Sequence, residues 1–342
     1  MPKVSVHIVT YNAELFLDTL LISLAHQTFR DFSVLVVDNA SSDGTRAQMR
    51  ARWPTAALVH NRDNAGYARA HNQALHISTS DYALTLNADV ILHERFLEEL
   101  VRAMDEHAEL GSVSGKLLRA WGDPRELNEK TFSHIIDSTG IVGDRKRFWR
   151  DRGAGEEDRG QYDAARDIIG PSGAAGLYRL RALQDVCVRR EFFDESFGSY
   201  KEDVDCALRL QRAGWQSRFV PAARAYHYRR AGGGCMTTDV LRHIRRPSRI
   251  ALYSYRNHLY TLIKNETLAS CGRDLPGIVG WEIGKLAFLL CTKPIIVFRA
   301  WKDIITQGKA LREKRREILN NEKVKSQTSA KRQESTGLPV EE

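Results

Sequence analysis

The order of elements predicts an α/β fold: a mostly parallel sheet with helices on both faces, followed by a helical C-terminal region. Three observations carry this. Through the first 118 residues, near-continuous β-branched and apolar runs alternate with helical patterns, as parallel strands buried on both faces require. The chain has 342 residues, 42% hydrophobic and 27% charged, enough for one large α/β unit with an appendage. From about Arg242 it turns basic, aromatic and amphipathic.

Each element follows from its pattern. "VSVHIVT" reads as a strand and "AELFLDTLLISLAHQ" as the helix after it. "FSVLVVD" and "DGTRAQMRARW" make the second pair, "AALVHN" and "YARAHNQALHIS" the third, "YALTLNADV" and "ERFLEELVRAMDEH" the fourth. "GSVSGKLL" extends the sheet. Residues 119–165, rich in Arg, Asp, Glu and Gly, read as a long excursion with little core of its own. Order returns with "DIIGPSGAAGLYRLRALQDV", an amphipathic helix from Ala207, and a strand in "SRFVPAARAYHY".

The apolar run "LPGIVGWEIGKLAFLLCTKPIIVFRAWKDII" is interrupted by Glu282, Lys285 and Lys293, which argues against a clean membrane span. Two readings fit it: a helix lying in the membrane interface, or a helical pair packed on the main body. The last residues are polar and read as a disordered tail.

Charge and cysteines narrow the class. The formal net charge is +8; residues 302–332 hold ten Lys/Arg against four Asp/Glu, so most of the excess is C-terminal. The five cysteines are odd in number and form no CxxC pair, which points to reduced thiols in the cytosol rather than a disulfide or zinc framework. The chain runs straight from its first residues into a strand pattern, so export is not expected.

Polar residues collect where the strands end. Thr10, Tyr11 and Asn12 follow the first strand and Asp38 the second. Asn64, Gly66 and Arg69 follow the third, and Asn87 and Asp89 the fourth. Any one of these is ordinary turn chemistry, but four at one rim point to a ligand, because ligands of open parallel sheets bind at the carboxyl ends of the strands. There is no GxGxxG after the first strand and no GxxxxGK[ST], so neither a dinucleotide fingerprint nor a P-loop is present. An acid after strand two suits a base or ribose, and one after strand four suits a divalent metal on a diphosphate.

The stretch "YKEDVDCALRLQRAGW" brings Glu202, Asp203 and Asp205 to a helix start. Acids there complement the helix dipole, or one of them is a general base. Asp205 has Arg209 four residues on, a structural pairing.

In order along residues 3–230, the segments "VSVHIVTYN", "VLVVDNASSDGT", "NRDNAGYARAHNQAL", "LTLNADV", "SGAAGLYRLRAL", "FFDESFGSYKEDVDCALRLQRAGW" and "AYHYRR" resemble family 2 glycosyltransferases, within them the rhamnosyltransferase-like members that build bacterial surface polysaccharides. The resemblance implies the GT-A fold, a Rossmann-like and mostly parallel sheet, and inverting transfer from a nucleotide-sugar. It implies that Thr10, Tyr11, Asn12 and Asp38 hold base and ribose, with Asn64, Gly66, Arg69 and Asn87 nearby. Asp89, in the place of the family's DXD-type motif, and His227 are the implied ligands of Mg²⁺ or Mn²⁺. Asn87 stands where the family's first acid is expected. Asp203 is the implied base and Glu202 its neighbour.

The expected division is then 1–240 for the transferase (1–118 binding the donor, 119–240 the acceptor half), 241–320 for a basic amphipathic helical region, and 321–342 for the tail. The expected donor is dTDP-rhamnose and the acceptor a glycan or lipid-linked (polyprenyl-diphosphate) saccharide. Arg245, Arg246 and Arg249 are expected near the headgroups at the cytoplasmic face of the inner membrane. A UDP- or GDP-sugar donor is the alternative. An inactive scaffold relative and a basic nucleic-acid-binding protein are more distant ones; the rim acids repel phosphate, so nucleic acid is not an expected partner.

Overall fold

The computed structural model describes residues 1–229, 244 and 246–336, with side chains as far as residue 321 apart from residue 129. Arg230, Cys235 and Arg245, and the side chains of Lys323, Lys325, Lys331 and Arg332, lie outside that description.

The first half alternates as its sequence requires: β1 (Val4–Thr10), α1 (Glu14–Ala25), β2 (Phe32–Asp38), α2 (Thr45–Arg52), β3 (Ala57–His60), α3 (Tyr67–Ile77), β4 (Tyr82–Asn87), β5 (Val90–Leu92), α4 (Phe96–Glu106) and β6 (Leu110–Ala120). Then come β7 (Phe132–Ser138), β8 (Ile141–Val142), β9 (Arg150–Asp151), β10 (Ala175–Arg179), α5 (Leu180–Asp185), α6 (Glu202–Arg212) and β11 (Gln216–His227). The C-terminal helices are α7 (Ser248–Asn265), α8 (Leu275–Thr292) and α9 (Pro294–Thr336).

Among the described residues one nine-stranded sheet runs β3-β2-β1-β4-β10-β6-β11-β5, with β7 added to β6. β3, β2, β1 and β4 are parallel, in a register that aligns Asp38 with His60, Thr10 with Asp38, and Val9 with Asn87. That alignment makes the polar strand ends a continuous rim. β10 then inserts antiparallel between β4 and β6, and β5 pairs antiparallel with β11. Long-range insertion of this kind leaves no local pattern, and the sequence did not announce it.

One face of the sheet buries Val6, Ile8, Leu84 and Leu86 under Leu17, Leu20 and Leu24 of α1 and Phe96, Leu100 and Met104 of α4. The other carries a cluster of Ala68, Leu75, Tyr178, Leu183, Phe193 and Leu210, from α3, β10, α5, α6 and the connection between the last two. Truncating one such leucine to alanine costs about 2–5 kcal/mol.

Three sequence expectations need correction. Residues 119–165 do have a core: Ile136, Ile141 and Trp149 are buried, and Trp149 packs with Ile141 against Val204 of α6. Its apolar residues are separated by turns at Gly140, Gly153 and Gly155, all at positive φ, so no periodic window betrays them. The helix at "YKEDVD" begins at Glu202, earlier than Ala207. The last helix continues past residue 321 to Thr336; residues 337–342 lie outside the described part.

The C-terminal helices are fastened to the body by a buried ionic network. Lys264 of α7 contacts Asp205 of α6 at 2.8 Å and also Asp194, and Lys314 of α9 contacts Asp194 at 2.6 Å and Glu191 at 2.7 Å. Part of the basic C-terminal run is thus spent inside the molecule rather than on a solvated face.

Candidate active site

A cleft of about 440 Å³ opens where the ends of β4 and β11 meet the start of α6. Asn87, Asp89, Glu202, Asp203 and His227 all line it, so five residues singled out in the sequence share one chamber. Its size is that of an ordinary small-molecule site.

The acids reach it through a strained approach. Tyr200 (φ 72°) and Lys201 (φ 71°) are consecutive residues in the left-handed region, immediately before α6. Each such residue costs on the order of 1–2 kcal/mol, so the surroundings must hold the turn in place. Asn257 of α7 does so by donating to the carbonyls of Phe197 (3.0 Å), Ser199 (2.9 Å) and Tyr200 (2.7 Å). Arg256 beside it donates to Ser196 and Phe197 at 3.1 Å. These two residues, in the "RNHLYTLIKN" stretch, position the acidic turn from a different helix.

With the turn fixed, the carboxylates part company. Asp203 accepts from the backbone N–H of Gly173 (3.0 Å) and of Val204 (2.8 Å). Burial, then Asp151, raises its pKa despite those bonds and the Lys201 ammonium. Burial, then Asp203, pushes Glu202 well above the ordinary carboxylate range, and its Oε2 has no hydrogen-bond partner among the described residues. Two like charges enclosed together cannot both ionise cheaply. Asp205 points the other way, onto Arg209 (3.0 Å), Lys264 (2.8 Å) and Asn265 (2.8 Å), as its structural reading requires. Burial opposes its charge, but Lys264 and Arg209 outweigh that and lower its pKa.

At the sheet end, His227 Nε2 lies 3.3 Å from Asp89 Oδ1, while Nδ1 meets the fully buried Asp137 at 2.9 Å. Burial works against an imidazolium here, but the two carboxylates raise His227 to about 9. Asp137 also holds Arg229 (2.9 Å), which reaches Asp151 at 2.6 Å.

Thr10, Tyr11, Asn12, Asp38, Asn64, Gly66 and Arg69 do not line this cleft. They sit along the neighbouring rim. Thr10 donates to Asp38 at 3.0 Å, and both are buried. Asn12 accepts from the Ser42 N–H at 2.8 Å, and Tyr11 is half exposed. Asn64 accepts from the Gly66 N–H at 3.0 Å. Gly66 has φ +85°, and a Cβ there would stand 2.8 Å from the Gly198 carbonyl oxygen, so the approach of this loop to the acidic turn depends on glycine. Arg69 stays near the surface, 3.8 Å from Glu195.

The sequence reading missed much of the lining: Tyr67, Trp149, Arg150, Asp151, Tyr200, Lys201, Arg229 and the hidden partner Asp137. Alternation in "FSHIIDS" flags a strand and could have drawn notice to Asp137. The excursion offered no comparable signal for Trp149 or Asp151.

Comparison with known proteins bears on the fold and the family. One relative is 28% identical over 234 residues, 65% of this chain and 74% of its own: the N-acetylglucosaminyl-diphospho-decaprenol L-rhamnosyltransferase of Mycobacterium tuberculosis. Among solved structures, residues 1–349 of S. aureus TarS in complex with UDP superpose with a TM-score of 0.55 at 17% identity, covering 99% of this chain and 93% of that one. The chain spans only 43% of a longer TarS structure. The mannosyltransferase PcManGT of Pyrobaculum calidifontis, solved with GDP-Man and Mn²⁺, has a TM-score of 0.50 at 19% identity, covering 90% of this chain and 76% of its own. These likenesses support the GT-A fold. Residues 5–185, more than half of the sequence, match the family described as glycosyl transferase family 2. With that match and the acid-bearing cleft at the sheet rim, the chain belongs to glycosyl transferase family 2 and is a glycosyltransferase.

Proposed function

We propose that the enzyme moves a sugar, rhamnose from dTDP-rhamnose, onto a hydroxyl of a glycan or lipid-linked saccharide with inversion, in cell-surface polysaccharide synthesis. The observation that carries the reading is Asp203, its pKa raised, in one cleft with Asp89 and His227. The acceptor oxygen attacks the anomeric carbon as Asp203 takes its proton. The bond from that carbon to the diphosphate breaks, and the nucleoside diphosphate leaves with the electron pair. Thr10, Asp38 and the rim beside them hold the nucleoside. Glu202, its pKa raised by burial and by Asp203, orients the acceptor.

The residues fit a divalent cation. The Asp137 contact occupies His227 Nδ1 and turns Nε2 toward Asp89, a carboxylate–histidine arrangement that fixes a metal-binding ring. Among the described residues no cluster of three or more His, Cys, Asp or Glu is placed to hold a metal, so substrate phosphate would complete the set, as hard cations favour. Asp89 and His227 would hold Mg²⁺ or Mn²⁺, which when bound neutralises the departing diphosphate.

The rhamnose assignment draws on the printed activity of the mycobacterial relative. The UDP complex of TarS favours a UDP-sugar as second reading. Turnover of dTDP-rhamnose against UDP- and GDP-sugars, with and without EDTA, decides between them. Turnover confined to a UDP- or GDP-sugar refutes rhamnose, and an EDTA-insensitive rate refutes the metal.

The reading includes a membrane surface. Residues Leu268–Thr292 are long and apolar enough to cross a membrane by length and composition, and only 6% of that window is buried. The charges that interrupt the run face inward: Glu282 meets His258 at 2.7 Å and Lys285 at 2.8 Å. The outside carries Ile283, Ile295, Phe298 and Ile305, all more than 60% exposed, with the exposed cations Arg299 and Lys302 among them. A pair packed on one side and lying on a bilayer by the other combines both sequence readings. Phe298→Asp with Ile305→Asp should abolish sedimentation with anionic liposomes; unchanged binding refutes it. Truncation is a poorer test, since it removes Lys314 from Asp194.

A further inference from the structure

We propose that Arg246 and Arg150 form a subsite in the catalytic cleft for a diphosphate carried by the acceptor. The inference rests on the transferase reading above.

Five cationic side chains line the cleft: Arg150, Lys201, His227, Arg229 and Arg246. Three are already committed. His227 lies between Asp89 and Asp137, Arg229 between Asp137 and Asp151, and Lys201 donates to the Trp149 carbonyl at 2.9 Å. Arg246 is half-buried and Arg150 exposed, and neither guanidinium has a carboxylate partner among the described residues. A guanidinium drawn partly out of water without a counter-ion gains most from an anion, and its fork matches phosphate oxygens.

Their position argues for the acceptor rather than the donor. Arg150 belongs to β9 and Arg246 to the run into α7, not to the strand ends that carry Asn87 and Asp89. Both are joined to the exposed apolar helices. Phe148, whose ring lies under the Arg150 guanidinium, packs edge-on against Trp281 of α8 with ring centroids 5.2 Å apart. Lys293, between α8 and α9, donates to the Arg246 carbonyl oxygen. Two cations lining one reaction cleft, each joined to an exposed apolar face, suit a phosphate group with a hydrocarbon chain. A nucleotide has no use for that face.

The test uses the full-length chain saturated with dTDP and Mg²⁺, titrated by calorimetry with farnesyl diphosphate, farnesol and inorganic pyrophosphate. Farnesyl diphosphate should bind most tightly, pyrophosphate more weakly, and farnesol weakest. Arg246→Ala and Arg150→Ala should each weaken farnesyl diphosphate by about tenfold, with the Lys variants in between and dTDP affinity unchanged. Variants that bind farnesyl diphosphate like wild type, or that lose dTDP affinity instead, overturn the subsite. Equal affinity for pyrophosphate assigns it to a soluble diphosphate and removes the lipid. Binding as expected in a chain that transfers no sugar refutes only the transferase reading.

Discussion

Glu202, Asp203 and Asp205 lie within one turn of α6, yet they belong to two opposite electrostatic regions. Asp205 is met by Arg209 and Lys264, and its neighbour Asp194 by Lys264 and Lys314. Its charge is matched, its pKa falls, and it holds α6 to α7. Glu202 is buried and Asp203 partly so, and both are under-compensated: Lys201 is the cation nearby, and its head is turned to a backbone carbonyl. Their pKa values rise. The opposing charges around a carboxylate, more than its burial, set the direction in which its pKa moves.

The largest expected effect comes from removing charge in the under-compensated region. Asp203→Asn should cost about 10²–10⁴ in turnover, the worth of a positioned general base. Its melting temperature at pH 8 should be unchanged or higher, since a carboxylate with a raised pKa opposes folding when ionised. Near-normal turnover in the purified variant would sink the assignment of the base.

The matched region predicts the reverse pattern. Lys264→Met strips one cation from both Asp194 and Asp205 and should destabilise the fold by about 3–5 kcal/mol, read as a lower denaturation midpoint. Turnover per folded molecule should survive. A variant that is stable but inactive would show that the network serves chemistry after all.

A pH titration sets the two regions side by side. The matched acids have depressed pKa values, so their stabilisation is present above the unfolded carboxylate range and is lost as pH falls through the lower folded values. Asp203 has a raised one, so the base is lost to protonation at higher pH, above the usual value of about 4. As pH is lowered, turnover should fail while circular dichroism still reports a folded chain. Simultaneous loss of both would erase the distinction.

The smallest effect sharpens the division within the cleft. Burial and the neighbouring Asp203 favour the neutral form of Glu202, and Glu202→Gln keeps the shape and lack of charge of that form. Turnover near neutral pH should stay within an order of magnitude of wild type. A loss as deep as that of Asp203→Asn would transfer the base to Glu202.

Legibility of the fold followed the same local logic. β1, β2 and β4 stood out because parallel strands buried on both faces must be apolar throughout, and α4 because its Phe96, Leu100 and Met104 recur at helical spacing. β10 between β4 and β6 was invisible, since antiparallel pairing between segments so far apart in the chain leaves no local trace. In the site, Asn87 and Asp89 were legible from their place after a strand, and Asp203 from its place before a helix. Asp137, Trp149, Asp151 and the props Arg256 and Asn257 act at long sequence separation, so no window contains both partners.

By itself the sequence determined which segments become strands and helices, and that polar residues gather at the strand ends, because both depend on neighbours a few positions apart. Only the tertiary structure decided which acid faces the cleft and which faces the cations. That choice rests on Lys264, Arg229 and Asp137, brought to α6 and β11 from remote parts of the chain, and on the solvent excluded when they arrive.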